Sequence, residues 1–219
     1  MDLKYLTKRT GNVFEKLVDD KFLNDFTLVD GTALSMQIKH RLSEDLYFNY
    51  DGGLLETQSI IDFIEEEFKI DQTLIMRDNE HRLDFLIEDV KVTFFTAGSV
   101  KVSSKIKDNS MKYKQMNIAT PEIIAVMKIN SIIQINTITD LYDLYYIAKN
   151  VTPLKVIFDN CKSHIPKVSD ITYSESIIFV DDIKEQAIPV YLKPAEKISK
   201  YKIAEYFIAE IKNYYNLKN

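Results

Sequence analysis

The period of the apolar residues changes near the middle of the chain, and that change limits the fold more than any other feature. Up to Thr96 the sequence consists largely of short runs closed by turn residues. Phe26–Val29 ends in Asp30-Gly31, Asp45–Tyr50 ends in Asp51-Gly52-Gly53, and Glu88-Asp89 separates Arg82–Ile87 from Val90–Thr96. Alternation with tight turns predicts strands, and the last pair predicts a two-residue hairpin. A further strand is predicted at Thr73–Met76, with helices at Leu3–Leu23, Thr32–Ile38 and Leu55–Phe68. Ser103 to Lys114 is polar and lysine-rich and reads as an exposed loop.

From Thr120 the spacing is helical. Thr120-Pro121-Glu122 and Thr137-Ile138-Thr139-Asp140 are helix starts, one with proline in the first turn and one of the capping-box kind. Leu154–Ile165 and Lys197–Tyr215 read as further helices. The expected class is α+β, a mixed-sheet core followed by a helical part. Residues 1–117 would form the core and residues 118–219 the helical subdomain, separately or as one continuous domain.

Composition narrows the function classes. Five glycines and five prolines in 219 residues leave no room for a long flexible linker. A net charge of −5 excludes a molecule-wide attraction to nucleic acid, so an RNA contact would need a local basic face. Cys161 is the sole cysteine, which rules out a disulfide within the chain and fits a reducing compartment. Met1-Asp2-Leu3-Lys4-Tyr5 lacks the apolar core of a signal peptide, and no apolar run is long enough for a bilayer. The expectation is a cytoplasmic protein without a membrane partner.

The segment from Val29 to Phe48 carries the chemistry. A strand, a glycine turn, a short helix and a second strand opening on Asp45 can bring phosphates against backbone N–H groups beside a carboxylate. Downstream, Lys128 shares a helical stripe with Ile124, Ala125, Ser131, Ile132 and Ile135. A lysine in such a stripe is costly unless it snorkels, is paired or meets a ligand phosphate.

These residues resemble the signature of the AbiEii-type nucleotidyltransferase toxins, which runs Gly-Gly-Thr-Ala-Leu and then His-Arg-x-Ser-x-Asp-Leu-Asp-Phe. Gly31, Thr32, Ala33, Leu34, His40, Arg41, Ser43, Asp45, Leu46 and Phe48 match without gaps. Asp30 stands for the first glycine and Tyr47 for the second aspartate. Lys128, Asp140 and Asp143 match the family's lysine and Arg-Asp-x-x-Asp-Leu run, with Ile135 and Thr139 in place of arginines. Phe179-Val180-Asp181-Asp182-Ile183 is similar to a later family segment. Val90-Lys91-Val92-Thr93-Phe94-Phe95 resembles the strand bearing the third carboxylate, with Thr93 in the aspartate's place.

The resemblance implies transfer of a nucleotide from an NTP to an RNA, with tRNA a candidate, by a toxin whose neighbour is an antitoxin. It implies Asp45, Lys128 and Asp140 as catalytic residues, and Gly31, Thr32, Arg41, Ser43 and Lys128 as nucleotide contacts. Mg²⁺ would be the metal, which prefers oxygen ligands in octahedral array, yet Tyr47 and Thr93 remove two of the three expected carboxylates. If Glu88-Asp89 is the hairpin turn, Asp84 falls opposite Thr93, so Asp45 and Asp84 are the remaining candidate ligands. A degenerate transferase binding nucleotide, RNA or protein is the alternative, and use of one metal or none is a third reading.

Asp140, three residues after Thr137, is equally readable as a helix cap. The lysines between Lys101 and Lys114 read as a solvated loop or as an RNA-facing patch.

Overall fold

The computed structural model describes residues 1–68, 73–96, 106–165 and 168–216. They divide into two compact units, one ending at Thr120 and one beginning at Pro121. The class is α+β, with a mixed sheet and eight α-helices among the described residues.

The first unit is built on strands β1 (Phe26–Val29), β2 (Leu46–Tyr50), β3 (Thr73–Asn79), β4 (Arg82–Ile87), β5 (Val90–Thr96), β6 (Ser110–Tyr113) and β7 (Met116–Ala119). Their order across the sheet is β3-β4-β5-β2-β1-β7-β6. β2 runs parallel to β5 and β1 parallel to β7, while the other neighbours are antiparallel. The β4–β5 turn is the predicted pair: Glu88 and Asp89 both have left-handed φ, 51° and 64°. That turn fixes the register, so Asp84 pairs with Thr93, and Thr93 pairs with Tyr47 on its other side.

The apolar face of this sheet is aromatic. Phe94 stacks on Phe48 at 5.0 Å between ring centres and meets Phe26 edge-on at 5.2 Å. Helix α1 (Lys8–Leu17) starts at the Thr7 cap and buries Val13, Phe14 and Leu17. Helices α2 (Asp30–Ile38) and α3 (Thr57–Glu67) complete the unit.

Several boundaries differ from the sequence reading. The expected Leu3–Leu23 helix is broken into a 3₁₀ turn at Leu3–Tyr5, α1, and a second 3₁₀ turn at Lys21–Asp25. Thr7 and Asp20 cause the breaks, because each turns its side chain onto a following backbone N–H. β3 runs on to Asn79. The expected loop contains β6, and β7 follows it, so residues 118 and 119, placed with the helical part, belong to the sheet. Residues 103–105 of that loop lie outside the described residues.

The second unit is helical: α4 (Pro121–Gln134), α5 (Ile138–Asn150), α6 (Leu154–His164), α7 (Asp170–Ile178) and α8 (Lys200–Asn216). α4 packs on α5, α6 and α7, and α8 packs on α5, α6 and α7. α4 is buried on nearly every side, including Ile123, Ile124, Val126, Ile129 and Ile132, so a charge on it must find a partner inside the unit. Helix α7 had no counterpart in the sequence reading, since its Ile, Thr and Ser content is weak in helix propensity. Its start is secured by Ser169, which accepts the Thr172 N–H at 3.2 Å. No helix among the described residues is long and apolar enough to cross a membrane.

Candidate active site

In the first unit the junction β1–α2–β2 is a single hydrogen-bonded knot. Asp30 turns the chain into α2 with φ 62°, a left-handed conformation that favours glycine and tolerates Asp and Asn better than most residues. Gly31 needs its missing side chain: a Cβ there would lie 2.4 Å from Arg41 Nη2 and 3.3 Å from Ser43 Oγ. The Arg41 guanidinium therefore rests on the first turn of α2, buried, with Nη1 donating to the Leu42 carbonyl at 2.9 Å. Thr32 Oγ1 bonds the Asp45 carbonyl oxygen and lies 2.8 Å from Ser43 Oγ. Gly31, Thr32, Arg41, Ser43 and Asp45 thus come together, and the hydroxyls of Thr32 and Ser43 face inward to fix the start of β2.

From that start, Asp45 and Tyr47 project on one face of the sheet, beside Lys91 and Thr93 on β5 and Arg82 and Asp84 on β4. Burial raises the Asp45 carboxyl above the usual 3.8, with Glu44 and Asp30 adding repulsion and Lys91 opposing them. A carboxyl raised in the folded state is penalised when it ionises, so the penalty is absent at low pH and grows as pH rises through the shifted value. Asp45→Asn is therefore expected to raise the melting temperature at neutral pH and to lose that advantage below about pH 4. Melting curves of both proteins across pH test this; an identical difference at every pH contradicts it.

Burial, then the charges of Asp30 and Asp45, raise the Tyr47 phenol far above its ordinary value, so it stays protonated. Lys91 Nζ lies 5.9 Å from the centre of its ring. Thr93 Oγ1 donates to Asp84 Oδ1 at 2.8 Å, and Arg82 Nε donates to both oxygens of Asp84, at 2.9 and 3.1 Å. Asn49, two residues beyond Tyr47, buries its Oδ1 without a hydrogen-bond partner among the described residues.

This donor set does not fit a pair of divalent ions. Tyr47 offers a neutral phenol and Thr93 a hydroxyl already donated to Asp84. Asp84 is two strands and one residue pair away from Asp45, about 12 Å between Cα atoms by ideal sheet spacing. Its carboxylate is also drawn toward Arg82, at the end of β4 farther from the Asp45 row, where the guanidinium neutralises it. Of the three family positions on this face, only Asp45 keeps a carboxylate.

The second unit holds the other charged group. Lys128 Nζ on α4 lies 2.6 Å from Asp140 Oδ1 and 3.1 Å from Asp143 Oδ2 on α5. Ser131 Oγ donates to the second Asp140 oxygen at 2.8 Å. The cap of α5 is Thr137 rather than Asp140: Thr137 Oγ1 accepts the Asp140 backbone N–H at 3.1 Å, while the Asp140 carboxylate turns to Lys128 and Ser131.

Arg82 and Ser131 were not among the predicted site residues. Arg82-x-Asp84 on one strand face was the available signal for the first, and Ser131 one turn from Lys128 for the second. Of the lysines between Lys101 and Lys114, Lys107 and Lys114 pair with Asp25 and Asp19, and Lys112 bonds Asn24. Lys101 and Lys105 lie outside the described residues.

Comparison with known proteins places the chain in a family. An uncharacterized protein of Aquifex aeolicus is 27% identical over 209 residues, 93% of this chain and 98% of its own length. A candidate nucleotidyltransferase from Helicobacter pylori shares the fold with a TM-score of 0.58 at 15% identity, covering 97% of this chain and 99% of that one. JHP933 from the same species gives 0.50, also at 15% identity, over 97% and 98% of the two chains. The family described as nucleotidyl transferase AbiEii toxin, type IV toxin–antitoxin system, matches residues 13–170. With its signature residues assembled in one knot and most of its length matched, this chain belongs to the AbiEii family of nucleotidyl transferase toxins.

Proposed function

We propose that the protein transfers a nucleotide from a nucleoside triphosphate to an RNA, with the acceptor end of tRNA as the substrate tested first, and that a cognate antitoxin opposes it. The knot of Gly31, Thr32, Arg41, Ser43 and Asp45 carries this reading, since it fixes a half-buried carboxylate at the head of β2 beside the start of α2. Val29, the capping residue of α2, offers no side-chain acceptor to the first-turn N–H groups, the arrangement that suits a phosphate.

In the proposed reaction an RNA hydroxyl oxygen attacks the α-phosphorus. The new P–O bond forms as the bond to pyrophosphate breaks, and the hydroxyl proton passes to Asp45. Gly31 and Thr32 receive phosphate through their backbone N–H groups, while Arg41 and Ser43 brace the strand that presents Asp45.

Radiolabelled triphosphate incubated with total tRNA tests the proposal. Label is expected in the RNA, reduced at least about a hundredfold by Asp45→Ala. A second reading, a catalytically silent binding module, is favoured by the phenol at Tyr47 and the pairing of Asp84 with Arg82. Tight nucleotide binding with no incorporation into any RNA supports that reading and ends the first.

A further inference from the structure

Arg82 opens β4 two residues before Asp84, so both leave the sheet on the face that carries Tyr47 and Thr93. Its Nε is fixed by both oxygens of Asp84, and Asp84 is held in turn by Thr93 Oγ1. The terminal nitrogens, Nη1 and Nη2, make no hydrogen bond to the described residues. The Arg82 side chain is 30% exposed against 9% for Asp84. Arg77 of β3 stands opposite Asp84 on the other side and adds a second positive charge along the same row.

A guanidinium locked through Nε loses little further freedom when its terminal nitrogens meet two oxygens of a phosphate, and that planar fork is the geometry phosphate recognition prefers. On this row two positions expected to carry metal-binding aspartates carry Tyr47 and Thr93 instead. A triphosphate arriving there meets a braced arginine rather than a cation bridged by carboxylates.

We infer that Arg82, positioned by Asp84, binds a phosphate of the triphosphate tail directly and without a bridging divalent ion. This rests on the nucleotide-binding reading above, and it assigns Asp84 a positioning role rather than a ligand role.

The test is titration calorimetry of the full chain with inorganic tripolyphosphate in EDTA, repeated with Mg²⁺. Wild type is expected to bind in EDTA. Arg82→Gln should weaken binding by roughly tenfold to a hundredfold, the loss of charged hydrogen bonds. Arg82→Lys, which keeps the charge but not the fork, should still lose about tenfold. Asp84→Asn should weaken binding less than Arg82→Gln, and melting curves in the same buffer identify any variant that has lost its fold. Binding that requires Mg²⁺, or equal affinity in wild type and folded Arg82→Lys, overturns the inference. Label transfer to RNA that is indifferent to Arg82 sinks this inference alone, whereas Arg82-dependent tripolyphosphate binding without transfer sinks the transferase reading alone.

Discussion

Lys128→Met is expected to cost about 3–5 kcal/mol of stability, the scale for removing one partner from a buried ion pair. The Lys128 side chain is 5% exposed and Asp143 is fully buried, and both Asp140 and Asp143 aim an oxygen at the ammonium. Without the lysine, Asp143 is left as a buried charge deprived of that cation, and the carboxylate of Asp140 stands close by. For a chain of this size each kcal/mol moves the melting temperature by roughly 2–4 °C, so a drop of about 10 °C is expected. Lys128→Met combined with Asp143→Leu should recover part of the loss, because neither buried charge then remains without the other. Urea unfolding of the three proteins measures this, and a single variant as stable as wild type would mean that the pair is not holding α4 to α5. So costly a cation on a largely buried helix is what a functional requirement retains at the expense of a simpler apolar packing.

The second large effect is a gain. Tyr47→Asp together with Thr93→Asp would restore three carboxylates to the adjacent strands β2 and β5, since positions 47 and 93 are register partners and Asp45 shares their face. In EDTA the double variant is expected to be less stable than wild type, because like charges then crowd a partly buried face. Adding Mn²⁺ should reverse this: an ion present at a hundred times its dissociation constant stabilises by about 2.7 kcal/mol. The readout is the Mn²⁺-dependent rise in melting temperature of the variant beyond that of wild type. Equal rises in the two proteins would show that losing these two carboxylates did not remove a metal site from this face.

The parts of the site that the sequence disclosed were those fixed by short-range rules. Two residues between strands admit few turn types, so Glu88-Asp89 alone set the β4–β5 register and placed Asp84 against Thr93. The ungapped signature placed Asp45 beside the glycine turn, and the apolar stripe around Lys128 said that its charge needed a partner. What stayed hidden depended on choices among several allowed partners. Asp84 was readable as a metal ligand, and the sequence did not show that Arg82, two residues away on an ordinary alternating strand, donates to both its oxygens. Arg41 was readable as a phosphate contact, and the structure lays its buried guanidinium against Gly31, a close approach that a run of sequence does not disclose. β7 was missed because Met116–Ala119 is four residues long and buried throughout, which leaves no alternation to read.

A crystal structure with a non-hydrolysable nucleoside triphosphate tests the central claim most directly, namely that the sheet face bearing Asp45 receives the nucleotide. The expected result is a triphosphate tail lying along this face, with phosphate oxygens within about 3 Å of the Arg82 terminal nitrogens and the α-phosphate next to Asp45. A tail bound away from β2, β4 and β5, with Arg82 and Asp45 untouched, would contradict it.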